Sequence, residues 1–265
     1  STWFKPDNAT LIVAGDIRLD ELKRKLNKLF SDWQPGTVPA KQLAVDAPEN
    51  VSTIYVVDRT EAEQSVIFAG QLLPPRANPD ELALQAMNNI LGGLSSSRIN
   101  MNLREDKGWS YGAYSMIVGA RGQRPLLIYA PVQTDKTRES IEQIKMEMLG
   151  IETDQPPTSD ELDIVKNSKT LSLPGRWETN MNLVGALEEI VRYGLPEDYW
   201  STYAANLNGL SLQATQQAAR NYVQPDKVIW VVVGDRQKIE PALRELGFEA
   251  IRFIDADGQP VIDEQ

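Results

Sequence analysis

The sequence predicts an α+β fold, in which one mixed, mostly antiparallel sheet carries helices packed on one face. Short apolar or alternating segments of strand length are separated by longer segments whose apolar residues recur at helical spacing. A pattern of turn, strand and helix near the start of the chain also recurs near its end. The first observation predicts one complete α+β domain, and the second predicts that the tail of a similar domain precedes it.

The predicted strands are rich in β-branched and aromatic residues and end at turn-forming residues. They span residues 52–57, 64–70, 111–118 and 125–133, and a hairpin is predicted at 251–261 around Asp257-Gly258. The predicted helices have apolar residues three or four positions apart, over residues 79–91, 134–149, 175–193, 196–206 and 211–222. A further helix opens at Thr158, because Thr158 and Glu161 match a capping box.

The repeat relates residues 3–16 to residues 222–235. Pro6 matches Pro225 and Asp16 matches Asp235, and both pairs are 219 residues apart. Because each copy would end a structural unit, residues 1–34 are predicted to be the strand–helix tail of a preceding homologous domain. Prolines and few apolar residues predict a linker over 35–50, which leaves 51–265 as the complete C-terminal domain.

Composition excludes several classes of function. A net charge of −10 and a pI of about 4.7 argue against binding to nucleic acid or to an anionic membrane surface. The chain has no cysteine and no histidine, which excludes disulfides, thiolate zinc sites and Ser-His-Asp or Cys-His catalysis. No apolar run approaches the roughly 20 residues that span a bilayer. A metal site made only of carboxylates stays open.

Arg104 and Tyr111 are the main candidate site residues. The sequence predicts a helix that ends near Lys107, a left-handed cap at Gly108 and a strand that opens at Tyr111. A guanidinium offers forked donors to a peptide carbonyl or carboxylate, and a phenol can donate to a carbonyl or a developing oxyanion. The residue types alone favour a solvated arginine that stabilises a helix C-terminus.

The segment around this pair resembles the non-metal domains of the pitrilysin/insulinase family of zinc peptidases, which includes the mitochondrial processing peptidases. The shared elements are Gly92-Gly93, Ser96-Ser97-Arg98-Ile99, Leu103-Arg104-Glu105, Gly108 and Tyr111. The end unit at 225–235 and the run at 196–200 are also similar to that family, so that the resemblance covers nearly the whole chain. It implies the α/β sandwich of those peptidases, and specifically their C-terminal domain that lacks the zinc motif.

The resemblance also implies a role for the site. In this family zinc is bound by His-x-x-Glu-His and a downstream glutamate, and nothing in this chain matches that motif. We therefore expect zinc in the complete enzyme, in a missing domain or a partner subunit, with neither metal ligands nor catalytic residues in this chain alone. Arg104 and Tyr111 would bind the substrate backbone and polarise the scissile carbonyl, with Ser96 and Ser97 as further candidates for peptide contact.

The predicted function is thus the non-catalytic half of a zinc metalloendopeptidase, which binds peptide or unfolded polypeptide and closes the catalytic chamber. Its expected partner is a domain or subunit that bears the zinc motif; nucleic acid and a membrane span are not expected. The alternatives are a scaffold protein and a peptide-binding homologue without peptidase activity. Family members occur in mitochondria, bacterial cytoplasm and periplasm, and we favour the bacterial periplasm over the cytoplasm.

Several other polar groups are predicted to be structural. Residues 255–258 fit a turn better than a calcium loop, because Phe253 occupies the position of the first ligand. Arg176 is predicted to lie in a helix end-cap. Glu188 and Glu189 are predicted to be solvated charges on a helix face.

Overall fold

A computed structural model describes residues 2–41 and 53–261 of the chain. Over these ranges the predicted α+β class is confirmed, with six strands in one mixed sheet. The strands are β1 (Thr53–Asp58), β2 (Gln64–Leu73), β3 (Tyr114–Ile117), β4 (Arg124–Gln133), β5 (Ile229–Gly234) and β6 (Ala250–Ile254). The helices are α1 (Leu19–Leu29), α2 (Glu81–Asn88), α3 (Arg98–Asn100), α4 (Thr137–Glu152), α5 (Ser159–Leu171), α6 (Asn180–Tyr193), α7 (Tyr199–Asn208), α8 (Leu212–Tyr222) and α9 (Arg236–Arg244).

The strand order in the sheet is β3-β4-β2-β5-β1-β6. The three pairings on the β3 side, up to β5, are antiparallel, whereas β1 runs parallel to both β5 and β6. The long strands β2 and β4 are paired over their whole length, from Gln64 opposite Gln133 to Leu73 opposite Arg124. On its other side β4 pairs with β3, the strand that follows the loop containing Tyr111.

One face of the sheet is covered by helices. Burial alternates along β2 and β4, so that Ile67 and Ala69 point into the core whereas Phe68 and Leu72 are exposed on the opposite, open face. Helix α4 packs against β2 and β4, and it also contacts α8 and α9. Burial of each core leucine, isoleucine or methionine contributes about 1.5–3 kcal/mol, so this single layer of helices supplies most of the stability.

The leading segment, residues 2–41, differs from the prediction. Its apolar run at residues 10–14, predicted as a strand, is extended but pairs with no strand in the described part of the chain. Leu11 is 59% exposed, and no residue of α1, which lies wholly within the described residues, is buried. A strand is stable only beside another strand that completes its backbone hydrogen bonds. The repeated sequence pattern does not specify whether such a neighbouring strand is present. The segment has a small cluster of its own, in which Phe4 stacks on Trp33 at 4.7 Å.

Some predicted boundaries lie outside the described residues, and others are shifted in the structure. Most of the predicted linker, residues 42–50, lies outside the described residues, as do residues 51–52 at the start of the first predicted strand and 262–265 at the end. The predicted helix over 79–91 ends as an α-helix at Asn88 and continues as a π-helical turn, Asn89–Gly93. Strand β3 begins at Tyr114 rather than Tyr111, because the chain first makes a turn there.

Other local predictions are confirmed. Thr158 and Glu161 form the capping box that opens α5. Asp255 accepts hydrogen bonds from the backbone N–H groups of Asp257 and Gln259, and Gly258 has a φ of +79°, as a tight turn requires. Within residues 2–41 and 53–261, no helix has both the length and the apolar character needed to cross a membrane.

The interpretation of Glu189 as a solvated charge is wrong. Its carboxylate accepts a hydrogen bond from Arg76 at 2.8 Å and another from Arg176 at 3.1 Å. Arg76 and Arg176 are 113 and 13 residues away from Glu189 in sequence, so the helical pattern of α6 alone did not indicate them.

Candidate functional site

Arg104 lies on the outer side of a π-helical turn, Met101–Asp106, that continues the short helix α3. The preceding residue, Leu103, is fully buried in the core and anchors this turn. The Arg104 guanidinium is about half exposed, and its nearest charged partner is the neighbouring Glu105 at 3.3 Å. An exposed pair of this kind is weak, so Arg104 is free to bind a ligand at little cost.

The left-handed cap predicted at Gly108 is confirmed. Gly108 has a φ of +64°, a conformation that costs glycine little and other residues more. The N–H of Lys107 donates to the carbonyl of Asn102, and that of Trp109 donates to the carbonyl of Leu103, both at 3.0 Å. These bonds end the helical turn abruptly, and the chain then turns towards β3.

Tyr111 lies in the loop between this cap and β3, with 89% of its surface exposed. The loop itself is held from inside. Asn100 is fully buried, donates to the Ser95 carbonyl at 2.6 Å and accepts the N–H of Ala113 at 3.1 Å. Ser110 donates to the Pro131 carbonyl at 2.6 Å. A fixed backbone therefore presents a free phenol to solvent.

A close approach between the Gly92 turn and β3 fixes the start of that strand. A Cβ atom on Gly92 would lie only 2.6 Å from the backbone nitrogen of Ser115, so any side chain there would push the strand away. Ser115 also donates to the side-chain oxygen of Asn88 at 2.8 Å. Gly92 is thus the glycine that brings α2 and the Tyr111 loop together.

Arg98, the arginine of the Ser-Ser-Arg element, is structural. Its Nε and Nη2 atoms donate to the two carboxylate oxygens of Glu161 at 2.6 and 2.8 Å, and Nη2 also reaches the Pro156 carbonyl at 3.2 Å. These contacts tie α3 to the start of α5. The pKa of the Glu161 carboxyl is lowered: burial raises it, but the hydrogen bonds from Arg98 and Thr158 outweigh that effect.

The two predicted peptide-contacting serines are separated by the fold. Ser96 is exposed, beside the turn that precedes α3. Ser97 is only 2% exposed at the N-cap of α3, and its hydroxyl has no hydrogen-bond partner among the described residues. Of the pair, Ser96 is the one that a peptide on the surface can reach.

The open face of the sheet carries aromatic side chains that the sequence reasoning missed. The register places Tyr114 opposite Tyr129, and Tyr129 opposite Phe68, so that the three form a row across β3, β4 and β2. The rings of Phe68 and Tyr129 lie 5.3 Å apart. Tyr114 also folds over Gly112, directly beside Tyr111. The signal in the sequence was the alternation of Tyr114 and Met116 with inward-facing Ser115.

Zinc does not fit the residues of this chain. Zinc sites use histidine, cysteine and carboxylate ligands, and the sequence has neither of the first two. Among the residues that the structure describes, no three aspartates or glutamates come close enough together to hold a metal ion.

A comparison with models of protein families identifies the chain. Residues 1–169 match the model described as the peptidase M16 inactive domain. The chain belongs to this family. The match runs without interruption from the leading segment through α5, and it contains Arg104, Gly108 and Tyr111. The suspected zinc-peptidase resemblance is thereby confirmed at the level of the family.

Three similar proteins are each longer than this chain. The uncharacterised zinc protease YmxG of Bacillus subtilis is 28% identical over 171 residues, which are 64% of this chain and 40% of that protein. The solved structure of a peptidase M16 inactive domain from Pseudomonas fluorescens superimposes with a TM-score of 0.74 at 23% identity, covering 83% of this chain and 52% of that one. A protease from Helicobacter pylori gives a TM-score of 0.73 at 18% identity, with 88% and 56% covered. At these identities the solved structures show the fold, and the chain spans about half the length of each.

Proposed function

We propose that this chain is the substrate-binding half of a divided zinc peptidase, in which Arg104 and Tyr111 hold the backbone of a peptide. Membership of the peptidase M16 inactive-domain family supports the class of enzyme. The observation that carries the site is Tyr111, whose ring is 89% exposed on a loop fixed by buried polar groups. An ordered backbone that holds an aromatic ring in water is typical of a binding residue.

The chemistry of the two groups suits an extended peptide. The Tyr111 phenol can donate to a substrate carbonyl, and the donation strengthens as negative charge develops on that oxygen. The Arg104 guanidinium can donate two parallel hydrogen bonds to a neighbouring carbonyl or to a terminal carboxylate. Both side chains orient and polarise the peptide, and neither supplies a nucleophile or a general base.

The open face of the sheet extends the proposed surface. The row of Tyr114, Tyr129 and Phe68 begins next to Tyr111 and offers apolar contact to alternate side chains of an extended peptide. Its flat rings suit unfolded polypeptide of varied sequence, because stacking and burial select for apolar character rather than for one residue.

The other half of the site is proposed to lie outside this chain. The leading segment supports this part, since Leu11 and Leu29 are largely exposed on a strand-like run and a helix that lack a core. Such a segment is suited to complete the sheet of a preceding homologous domain. A preceding domain or a partner subunit would bring the zinc motif and close the chamber over the peptide.

The deciding experiment is the substitution Tyr111→Phe in the assembly of this chain with the half that bears zinc. Loss of one donor to the developing oxyanion is expected to lower kcat/KM by about 10- to 1000-fold. Tyr222→Phe is the matched control, because Tyr222 lies on α8, on the helix-covered side of the sheet, and its hydroxyl donates to Asp80.

Unchanged kinetics in a folded Tyr111→Phe assembly would remove the clamp from the mechanism. Arg104→Lys gives a second measure, because lysine keeps the charge but loses the fork, and it is expected to raise KM more than it lowers kcat. An assembly that contains an intact zinc motif and cleaves no peptide would favour the scaffold alternative.

A further inference from the structure

A cavity of about 430 Å³ lies between α2, α5, α6 and α7, beyond the end of β3 that is remote from Tyr111. Ile117, the last residue of β3, is part of its wall, and neither Arg104 nor Tyr111 lines it. The volume is within the range of cavities that bind small molecules. The cavity is therefore a separate site from the proposed peptide surface.

The walls carry more positive than negative charge. Five cationic side chains line the cavity: Arg76, Arg124, Lys169, Arg176 and Arg192. Three carboxylates accompany them, Glu188 and Glu189 in the wall and Glu81 behind it. The local excess is two positive charges in a chain whose net charge is −10. General surface composition does not explain such an excess at this one place.

Two of the arginines are held by the protein itself. Arg76 pairs with Glu81 at 3.1 Å and with Glu189 at 2.8 Å, and it donates to the Tyr199 hydroxyl at 2.7 Å. Arg124 is fully buried, donates to the Pro74 carbonyl at 2.8 Å and pairs with Glu81. The remaining Nη1 of Arg124 has no partner among the residues that the structure describes. Glu81 is thus shared by two guanidinium groups, and Glu189 is shared by Arg76 and Arg176, so that three guanidinium groups face two carboxylates.

Lys169 and Arg176 have fewer polar partners in the protein than Arg76 and Arg124 have. The Lys169 ammonium makes no hydrogen bond or ion pair with any described residue, although Lys169 is half-buried in the wall. Burial lowers the pKa of this ammonium. Arg176 lies 3.7 Å from the Trp200 ring and donates to Glu189, but its Nε atom is buried without a partner in the described structure.

Arg124 is fully buried and its Nη1 is unpaired among the described residues, which is costly, and a bound anion removes that cost. An excess of two charges matches a phosphate monoester, which carries about −1.5 to −2 at neutral pH. Guanidinium groups also suit the fixed geometry of phosphate oxygens. Tyr199, Trp200 and Tyr203 form an aromatic wall beside the cations, with ring centroids 5.0 to 6.0 Å apart. That wall suits a flat apolar group attached to the anion.

We propose that this cavity binds a small phosphate monoester, with the phosphate between Lys169 and Arg176 in the field of Arg124, and its organic part against Trp200 and Tyr203. The site belongs to this chain alone and does not depend on the proposed peptidase function. It was not visible in the sequence, because its cations come from separate elements, and only Arg176 among them was singled out, as part of a helix end-cap.

The test is a titration of the chain with phenyl phosphate and with inorganic phosphate, at constant ionic strength set by chloride. Saturable binding is expected by calorimetry, with a rise in the thermal midpoint and with tighter binding of phenyl phosphate, since the aromatic wall contributes only to the ester. Lys169→Met is expected to weaken binding of either probe by about 10-fold, the effect of one lost charge-assisted hydrogen bond. Lys227→Met is the matched control, because Lys227 is exposed and does not line the cavity.

Three outcomes would overturn the proposal. They are the absence of saturable binding at millimolar probe, equal affinity in a folded Lys169→Met chain, and tighter binding of succinate than of either phosphate. A Lys169→Met chain that loses thermal stability but binds phosphate like the wild type would show that Lys169 is purely structural. If Lys169→Met does not fold, Arg176→Lys replaces it, because that change keeps the charge and removes the fork. Weaker phosphate binding is then expected, and unchanged binding would contradict the proposal.

Discussion

Two stretches of this chain share one sequence pattern and have different structures. The second copy forms β5 and α9 in the middle of the fold, where Trp230 is 1% exposed between β1 and β2. The first copy places Leu11 at the equivalent position, and Leu11 is 59% exposed with no strand beside it. The pattern thus predicts which residues can be buried, whereas the neighbouring strands decide whether they are.

The helices of the two copies differ in the same way. Helix α9 buries Ile239 and Leu243, whereas α1 exposes part of every residue, including Leu22 and Leu26 at the matching positions. Their beginnings also differ. Asp235 caps α9 with its side chain and α9 starts at the next residue, but α1 starts three residues after Asp16 and has no side-chain cap. Leu22 and Ile239 are 217 residues apart whereas Asp16 and Asp235 are 219 apart, so the first copy has two extra residues before its helix, which account for this shift.

The largest expected difference concerns the strand positions. Trp230→Ala is expected to lower the free energy of unfolding by about 3–5 kcal/mol, because it empties a large volume in the core. Leu11→Ala is expected to change it by less than about 0.5 kcal/mol, because the side chain is largely in water. Urea denaturation of the two variants measures both values.

Comparable losses in the two variants would show that the leading segment has a core of its own. The comparison becomes sharper in a chain that contains the proposed preceding domain. There Leu11→Ala is expected to become destabilising, and Trp230→Ala is expected to stay as costly as before.

The second-largest expected difference in stability concerns Leu243 on α9 and Leu26 at the matching position on α1. Leu243→Ala is expected to cost about 2–5 kcal/mol, since Leu243 is fully buried where α9 meets the core. Leu26→Ala on α1 is expected to cost less than about 1 kcal/mol, because Leu26 is only half-buried. Chemical denaturation monitored by circular dichroism tests this pair. An equal shift in both midpoints would contradict the assignment of α1 as a helix without a core.

The smallest expected difference in stability concerns Asp16 and Asp235, which occupy matching positions in the two copies. Asp235 accepts hydrogen bonds from the backbone of Glu61 and Gln237, both at 3.1 Å, and it pairs with Lys238 at 3.2 Å. Burial raises the pKa of this carboxyl, but the Lys238 contact and the backbone donors outweigh it, and the net pKa is lowered. Asp235→Ala is expected to lower the thermal midpoint by a few degrees at pH 7, and Asp16→Ala is expected to leave it unchanged.

The lowered pKa of Asp235 determines how its contribution to stability changes with pH. Because the folded pKa is lower than the unfolded value of about 3.9, the stabilisation by Asp235 is complete above that pH. It is lost as the pH falls through the folded pKa. The difference in midpoint between wild type and Asp235→Ala should therefore shrink below about pH 4, and a difference that grows on acidification would refute the ion-pair explanation.

The parts of the fold that were predicted correctly depend on local chemistry. The left-handed Gly108, the Thr158–Glu161 capping box and the Gly258 turn each need only a few adjacent residues, so the sequence contained the necessary information. The alternation of β2 and β4 was likewise local. The strand predicted at residues 10–14 does not pair within the described residues, because a strand needs a partner that no local pattern specifies.

The candidate sites show the same limit. Arg104 and Tyr111 were found because they lie in one short segment with a resemblance to a known family. The cationic cavity was missed because its charges meet through tertiary structure, and the Arg76–Glu189 pair spans 113 residues. Ser97 was proposed from its place in the motif, and burial at a helix cap could not be read from that place.

The π-helical turn at Met101–Asp106 makes the Arg104 site sensitive to chain length. Such a turn holds one residue more than an α-helical turn of the same height, so that loss of one residue before Arg104 would restore ordinary α geometry. Each residue of an α-helix advances by about 100° around the axis. A single-codon deletion here would thus rotate Arg104 towards the place of Leu103 in the core, while the composition of the segment stayed almost the same. The proposed role of Arg104 therefore depends on the number of residues in this turn as well as on the identity of its side chains.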